Sequence, residues 1–287
     1  MHSIFKRIPF VLSGLLFATG TQFLTIPFSG LELASGPNAT QLYSVNPATM
    51  SINKPGILMN MSHGSWFAGA KSSSLLILFP GKMIPWGIHL KYMDINDLEL
   101  RGEIPTDEPL ATYGANGFSL GALGNWHSFG LRLGVALRYV RIDLYTENSN
   151  GFSADIGLFK QVNKKTKIGA VLLNIGNMSN LKYEKPALPR RTLASGSYLF
   201  SSTDFSNEIT LGIEKSSLVN GVIFYSASET KWNHLSFQVS SKLSKDVSDV
   251  SVGTGFQLGI YRFNYGVQIG SQDLGMPQML DLTILLP

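Results

Sequence analysis

Tyr261-Arg262-Phe263-Asn264-Tyr265-Gly266-Val267-Gln268-Ile269 alternates, residue by residue, between apolar and polar side chains. Successive side chains of a β-strand point to opposite faces, so this stretch is a strand with one greasy face and one wet face. The same rhythm recurs roughly every 10 to 15 residues from about residue 55 onward, with turn residues between the repeats. Strands are predicted near 56–63, 72–79, 83–94, 112–123, 128–143, 151–160, 167–176, 191–201, 206–214, 219–228, 234–243, 250–258, 260–270 and 277–286. Fourteen is an even number, as single-chain bacterial outer-membrane barrels require. The two longest connections, 95–111 and 177–190, both fall at odd positions. Odd connections are where outer loops belong when the chain starts on the periplasmic side. The expected fold is all-β: a 14-stranded antiparallel transmembrane β-barrel with an irregular N-terminal plug-like segment.

Composition agrees. Of 287 residues only 15% are charged, against a soluble average of about 25%, and 29 are glycine. No internal stretch reaches the roughly 18 uninterrupted apolar residues of a spanning helix. Residues 1–20 read as a signal peptide: Lys6 and Arg7 are the positive region, residues 8–17 the apolar one, and Ala18, Thr19 and Gly20 offer small residues for cleavage. Removing Lys6 and Arg7 takes the net charge from +4 to +2, and no basic cluster remains to bind nucleic acid. Residues 21–54, rich in Ser, Thr, Asn, Gly and Pro, form a separate periplasmic or plug-like segment ahead of a barrel at 55–287. The bacterial outer membrane is the expected location, with its lipid as the first partner. There is no cysteine, so disulfides and thiolate chemistry are excluded.

Hydrocarbon sets the phase of each strand, because Arg or Lys on the lipid face costs about 2–4 kcal/mol at mid-depth. Leu235, Phe237 and Val239, then Val250, Val252, Thr254, Phe256 and Leu258, then Leu280, Leu282, Ile284 and Leu286 take the outward phase. Arg132, Arg138, Asp155, Glu208, Arg262 and Asp281 take the inward one, either pairing with one another or lining a passage. Residues 167–176 leave both phases open, since Val171, Leu172 and Leu173 are consecutive. Trp86, Trp126 and Trp232 fall near the periplasmic strand ends and Trp66 near the opposite rim, where interfacial aromatic girdles belong. Asn46-Pro47-Ala48 reads as a turn, since proline pushes Asn46 out of the helical region. It also reads as a latch holding the N-terminal segment.

Catalytic signals are weak. Gly117-Phe118-Ser119-Leu120-Gly121 fits the nucleophile-elbow pattern, but that chemistry needs a strand-to-helix turn and the pentad lies inside an alternating strand. His2, His63, His89, His127 and His234 show no metal-ligand spacing. A non-enzymatic protein without metal or cofactor is expected.

Four stretches carry a resemblance. Phe23-Leu24-Thr25-Ile26-Pro27-Phe28-Ser29 is similar to the mature N-terminus of the PorV/PorQ family, within the broader FadL-like barrels. Residues 43–48 end in the Asn-Pro-Ala these proteins share. Residues 151–158 hold Asp155 and Gly157 in an Asp-x-Gly. Leu173-Asn174-Ile175-Gly176 precedes a loop with Pro186 and Pro189. The resemblance covers nearly the whole mature chain and implies a 14-stranded barrel. It also implies an accessory role in type IX protein secretion or surface assembly, with secretion-system proteins or secreted substrates as partners at the rim and lumen. The alternative is a FadL-like channel for uptake of a hydrophobic small molecule. A polar, occluded lumen favours the first reading and an apolar pocket the second.

Overall fold

The structure, a computed structural model, describes residues 20–50, 56–81, 84–101, 107–245, 248–270 and 275–287. The expected signal peptide, save Gly20, and residues 51–54 of the N-terminal segment lie outside the described residues. Fourteen strands follow one another: β1 (Ile57–Ser65), β2 (Lys71–Phe79), β3 (Trp86–Leu100), β4 (Ala111–Ser128), β5 (Leu131–Leu144), β6 (Glu147–Gln161), β7 (Thr166–Met178), β8 (Arg191–Ser201), β9 (Phe205–Ser216), β10 (Ile223–Trp232), β11 (Leu235–Leu243), β12 (Ser248–Leu258), β13 (Tyr261–Gly270) and β14 (Gln278–Leu286). Each pairs antiparallel with the next, and β14 returns to pair with β1, Leu286 opposite Ile57. The fold expected from the alternation is therefore present: a closed 14-stranded antiparallel barrel.

The even connections make one rim, here the turn rim, and the odd ones make the other, the loop rim. Three even connections are two residues long, and in one of them, Phe129-Gly130, φ is 51° and 71°. Two consecutive positive φ values match the right-handed twist of the flanking strands. The tenth strand runs Ile223–Trp232 instead of 219–228. Its turn extends to Gly221, whose φ of 92° no other residue type adopts comfortably.

The wall is uneven. Strands β3 to β7 hold 13 to 18 residues each, whereas the others hold 9 to 12. On the tall side the apolar outward face stops before the strand does. On β3 it runs Trp86, Ile88, Leu90, Tyr92 and then turns polar at Asp94. On β5 it runs from Leu133 to Tyr139 and then turns polar at Arg141 and Asp143. Asn116 stands opposite both Asp94 and Asp143, and Asp143 stands opposite Asn148, so the polar residues form a row across four strands. Below that row Leu137, Phe152, Leu211, Phe237 and Leu280 are among the exposed side chains. Trp86, stacked on Phe79 with ring centroids 4.3 Å apart, joins Trp126 and Trp232 as exposed aromatics near the turn rim. An apolar band of this kind, on a closed barrel with no free edge, is stable against hydrocarbon and not against water.

Trp66 departs from the girdle expected for it. It sits on the β1–β2 connection, half-buried, and packs inward against the cluster around Phe23. A connection has no strand phase to point its side chain outward. The ambiguity of residues 167–176 also has a cause. Between Ala154 and Ile156 the β6–β7 register slips by one residue, so Asp155 faces both Leu173 and Asn174. Asn174 absorbs the extra residue at φ 60°, a conformation asparagine tolerates. Val171 and Leu173 point inward, Leu172 outward, and Asn174 is buried next to Leu173.

Val239→Arg, at the middle of the outward face of β11, is expected to lower unfolding free energy in lipid vesicles by about 2–4 kcal/mol. Gln238→Arg on the inward face tests the local fold without placing charge in lipid. Equal losses for the two would refute the assignment of faces.

Candidate functional site

A ring of fourteen strands is wider than its own inward side chains fill. Residues 20–50 occupy the space. They begin with a 3-10 turn, Thr21–Thr25, which packs Phe23 and Leu24 against Met93, Ile95, Val140, Ile142, Met178 and Leu188. The Ile26 carbonyl accepts from the buried Lys91 ammonium. The Phe28 carbonyl accepts from both the Ser62 and Ser74 hydroxyls, each at 2.6 Å. A short helix follows, α1 (Gly30–Ser35). Ser29 Oγ accepts from Glu32 N at 3.1 Å, and Glu32 Oε2 reaches back to accept from Phe28 N at 3.0 Å. This is the reciprocal logic of a capping box, and Ser29 with Glu32 three residues on is its sequence signature.

The barrel completes the cap. Asp281 on β14 accepts from Leu31 N through Oδ2 at 2.9 Å, while its Oδ1 accepts from Asn60 and Asn264 at 3.1 and 2.7 Å. A carboxylate at the helix N-terminus meets donors that have no partner inside the helix. Tyr43 lies near Asp281. Burial, reinforced by that carboxylate, pushes its phenol up to about 12, so it stays neutral.

Asn46-Pro47-Ala48 is the tightest junction. Asn46, extended at φ −122° and ψ 105° as a residue before proline should be, is fully buried. Its Nδ2 donates to Ala39 O at 2.8 Å and to Leu158 O on β6 at 3.0 Å, and its Oδ1 accepts from Ala48 N at 3.0 Å. Asn125 on β4 donates to the Pro47 and Met50 carbonyls at 3.0 and 2.7 Å. The wall is bare where the triad touches it. A Cβ on Gly157 would stand 1.9 Å from Asn46 Oδ1, and one on Gly134 2.1 Å from Ala48 N.

The six inward charges do not converge. Arg138 and Asp155 pair with each other, and Asn174 joins them: its backbone N donates to Asp155 Oδ1 at 2.8 Å and its Oδ1 accepts from Arg138 at 3.1 Å. Glu208 pairs instead with Lys167 at 2.9 Å. Arg132 lies over the Phe159 ring at 4.1 Å and donates to Met50 O at 3.4 Å. Arg262 donates to Gln257 at 3.0 Å, and Asp281 holds α1. Sequence reasoning missed Lys91, Asn125 and the bidentate Arg191–Glu214 pair at 2.5 and 2.9 Å. Their inward phase was available, but not the segment they meet. The inner wall also carries apolar residues, Leu76, Leu78, Leu123, Val171 and Leu193, against Phe28, Met50, Ala39, Leu42 and Val45.

Two cavities flank the N-terminal segment. One, of about 830 Å³, opens toward the turn rim and is lined by polar and charged side chains including Gln41, Arg132, Lys167, Glu208, Arg262 and Asp281. The other, of about 420 Å³, lies toward the loop rim on the low side of the wall. Pro27, Pro37, Trp66, Phe67, Leu218, Val219 and Ile223 give it an apolar lining, and Arg191, Glu214, Lys242, Asp249 and Gln268 supply its polar part. Ser119 is buried inside β4 with no helix after it, and no cluster of three or more metal-ligating side chains occurs among the described residues.

No family model matches the sequence, and no curated protein is similar to it in sequence. Solved structures share the fold. The toluene transporter TodX of Pseudomonas putida superposes with a TM-score of 0.58 at 11% identity, over 90% of this chain and 96% of that one. A deltaS2 mutant of the TodX monoaromatic hydrocarbon channel gives 0.60 at 10% identity, over 90% and 97%. A Pseudomonas aeruginosa FadL homologue gives 0.53 at 10% identity, over 90% and 96%. The chain thus has the fold of the FadL/TodX type of outer-membrane channel.

Asp155→Ala leaves Arg138 buried without its carboxylate. It is expected to lower unfolding free energy by about 3–5 kcal/mol, read from urea titration in lipid vesicles. Arg138→Met with Asp155→Leu should recover most of that loss, because no unpaired charge remains. A single-variant loss below about 1 kcal/mol would mean that water reaches the pair freely.

Proposed function

We propose that this protein is a non-enzymatic outer-membrane channel, surrounded by lipid, that admits a small hydrophobic molecule past an N-terminal plug. The loop rim faces outward and the turn rim faces the periplasm. The observation that carries the reading is the 420 Å³ pocket between the plug and the low wall. Its proline, aromatic and aliphatic side chains give an apolar patch, and the polar and charged residues around them, Arg191, Glu214, Lys242 and Asp249 among them, can orient a bound molecule, the combination a small-molecule site uses. The 830 Å³ cavity on the far side of the plug is the matching exit, and its polar lining holds an apolar molecule weakly enough for release. The shared fold of the toluene transporter and the FadL homologue supports the same reading.

Passage requires the plug to move locally. Its ties to the wall at Ile26, Phe28, Leu31, Asn46 and Met50 are hydrogen bonds, one or two at each residue, that can be exchanged one at a time. A PorV/PorQ-like accessory role in type IX secretion is the second reading. The occluded lumen and its buried ion pairs, Arg138–Asp155 and Arg191–Glu214, favour it, because a wall stiffened in this way suits a protein that presents its rim.

Deleting residues 21–54 should raise single-channel conductance in planar bilayers severalfold; unchanged conductance would reject the plug. Trp66 reports the pocket. A ligand from a panel of aromatic and aliphatic hydrocarbons should quench tryptophan fluorescence, and Trp66→Phe should abolish most of the quench. If no member of the panel binds, while a secreted protein's targeting domain does, the secretion reading replaces the channel.

A further inference from the structure

One sector of the outward face breaks the apolar rule. On β10 the outward residues are Phe224, Ser226, Ser228, Thr230 and Trp232. Phe224 and Trp232 are exposed and mark the two ends of the band, so the three hydroxyls lie at the depth where neighbouring strands carry aliphatic and aromatic groups. On β9 Leu211 and Ile209 stand opposite Ser226 and Ser228, and on β11 Val239 and Phe237 stand opposite Ser228 and Thr230. The polar set spreads sideways. Asn207 on β9 donates through Nδ2 to Ser228 Oγ at 2.8 Å and to Thr230 Oγ1 at 2.7 Å. Ser226 and Ser241 on β11 share a hydrogen bond of 3.0 Å. The result is a polar stripe across three strands, framed by Phe205, Trp232, Phe224 and Phe237.

The stripe is only half satisfied. Ser228 and Thr230 accept from Asn207, which leaves the proton of each hydroxyl without an acceptor among the described residues. Asn207 Oδ1 has no donor there, and one proton of the Ser226–Ser241 pair is left over. Lipid tails offer neither donor nor acceptor, so these groups need a polar surface at the same depth. We infer that the β9–β11 face is the interface of a homodimer, the stripe of one copy lying against the stripe of a second. Two copies inserted in the same orientation carry the stripe at equal depth. A two-fold axis along the membrane normal therefore brings like against like without vertical adjustment. Hydroxyls and an amide serve as donor and acceptor at once, so the stripe is complementary to itself. The surrounding aromatic and aliphatic side chains supply the close-packed rim that polar contacts within a membrane require.

The absence of cysteine makes the test clean. Ser226→Cys, Ser228→Cys and Thr230→Cys are made singly in the full-length protein and oxidised in native outer membranes. At least one should give a disulfide-linked dimer about tenfold stronger than Val135→Cys, which lies on the outward face of β5, five strands from β10. The combined Asn207→Leu, Ser226→Val, Ser228→Val and Thr230→Val variant keeps the face apolar, and its folding is checked by heat-shifted gel mobility. In lipid nanodiscs its mass should be that of one copy, where the unaltered protein has the mass of two. Equal cross-linking at Val135, a monomeric unaltered protein, or a folded quadruple variant that remains dimeric would each overturn the interface. So would cross-linking only to a different protein. None of these readouts depends on what the lumen transports.

Discussion

The width of the lumen governs the rest of this molecule. Eight strands can be filled by their own side chains; fourteen cannot. The space is taken by residues 20–50, and many inward features of the wall meet that occupant. Where the segment comes closest, at Asn46 and Ala48, the wall is glycine. Where it exposes a carbonyl, at Ile26, Phe28, Pro47 and Met50, the wall offers Lys91, Ser62, Ser74 and Asn125 as donors. Where it starts a helix, the wall offers Asp281. Buried backbone groups must be paired somewhere, and a segment with so little helix and no strand relies on side chains from outside itself.

The outward and inward faces answer to different solvents, so they are rigid in different ways. Outside the stripe on β9–β11, the outward face is specified by transfer energy, which accepts any apolar side chain and rejects charge. The inward face is specified by geometry, with individual donors, acceptors and close approaches. This difference explains why distant sequences can share the fold at 10–11% identity. Alternation survives many substitutions, while a lumen can be refitted to another occupant.

The same division decides what could be read from the chain beforehand. Period-2 alternation located fourteen strands, and the cost of charge in lipid gave Arg132, Arg138, Asp155, Glu208, Arg262 and Asp281 their inward phase. Trp66 escaped, because a residue on a connection has no alternation to orient it. Residues 171–174 escaped because a bulge at Asn174 changes the phase within one strand. The bounds of β10 missed by four residues for a related reason: Ser226, Ser228 and Thr230 blur the contrast between its two faces. Asn46 was singled out as a turn or a latch, but its partners Ala39 and Leu158 could not be named, nor could the Lys91 and Asn125 contacts. Apart from Ala39, seven positions away, these partners lie tens of positions along the chain, and local pattern holds no record of them.

The seam between β1 and β14 bears on how the molecule comes together. Every other pairing in the wall zips up neighbours along the chain, whereas this one must draw residue 57 to residue 286. Closing so long a span carries the largest chain-entropy cost in the sheet, so it belongs late in assembly. The N-terminal segment joins the wall at this same place, with Gly56 against the backbone of Leu286. A curling, still-open sheet can therefore wrap around its own leading segment and fasten behind it. Nothing has to be threaded through a finished rim.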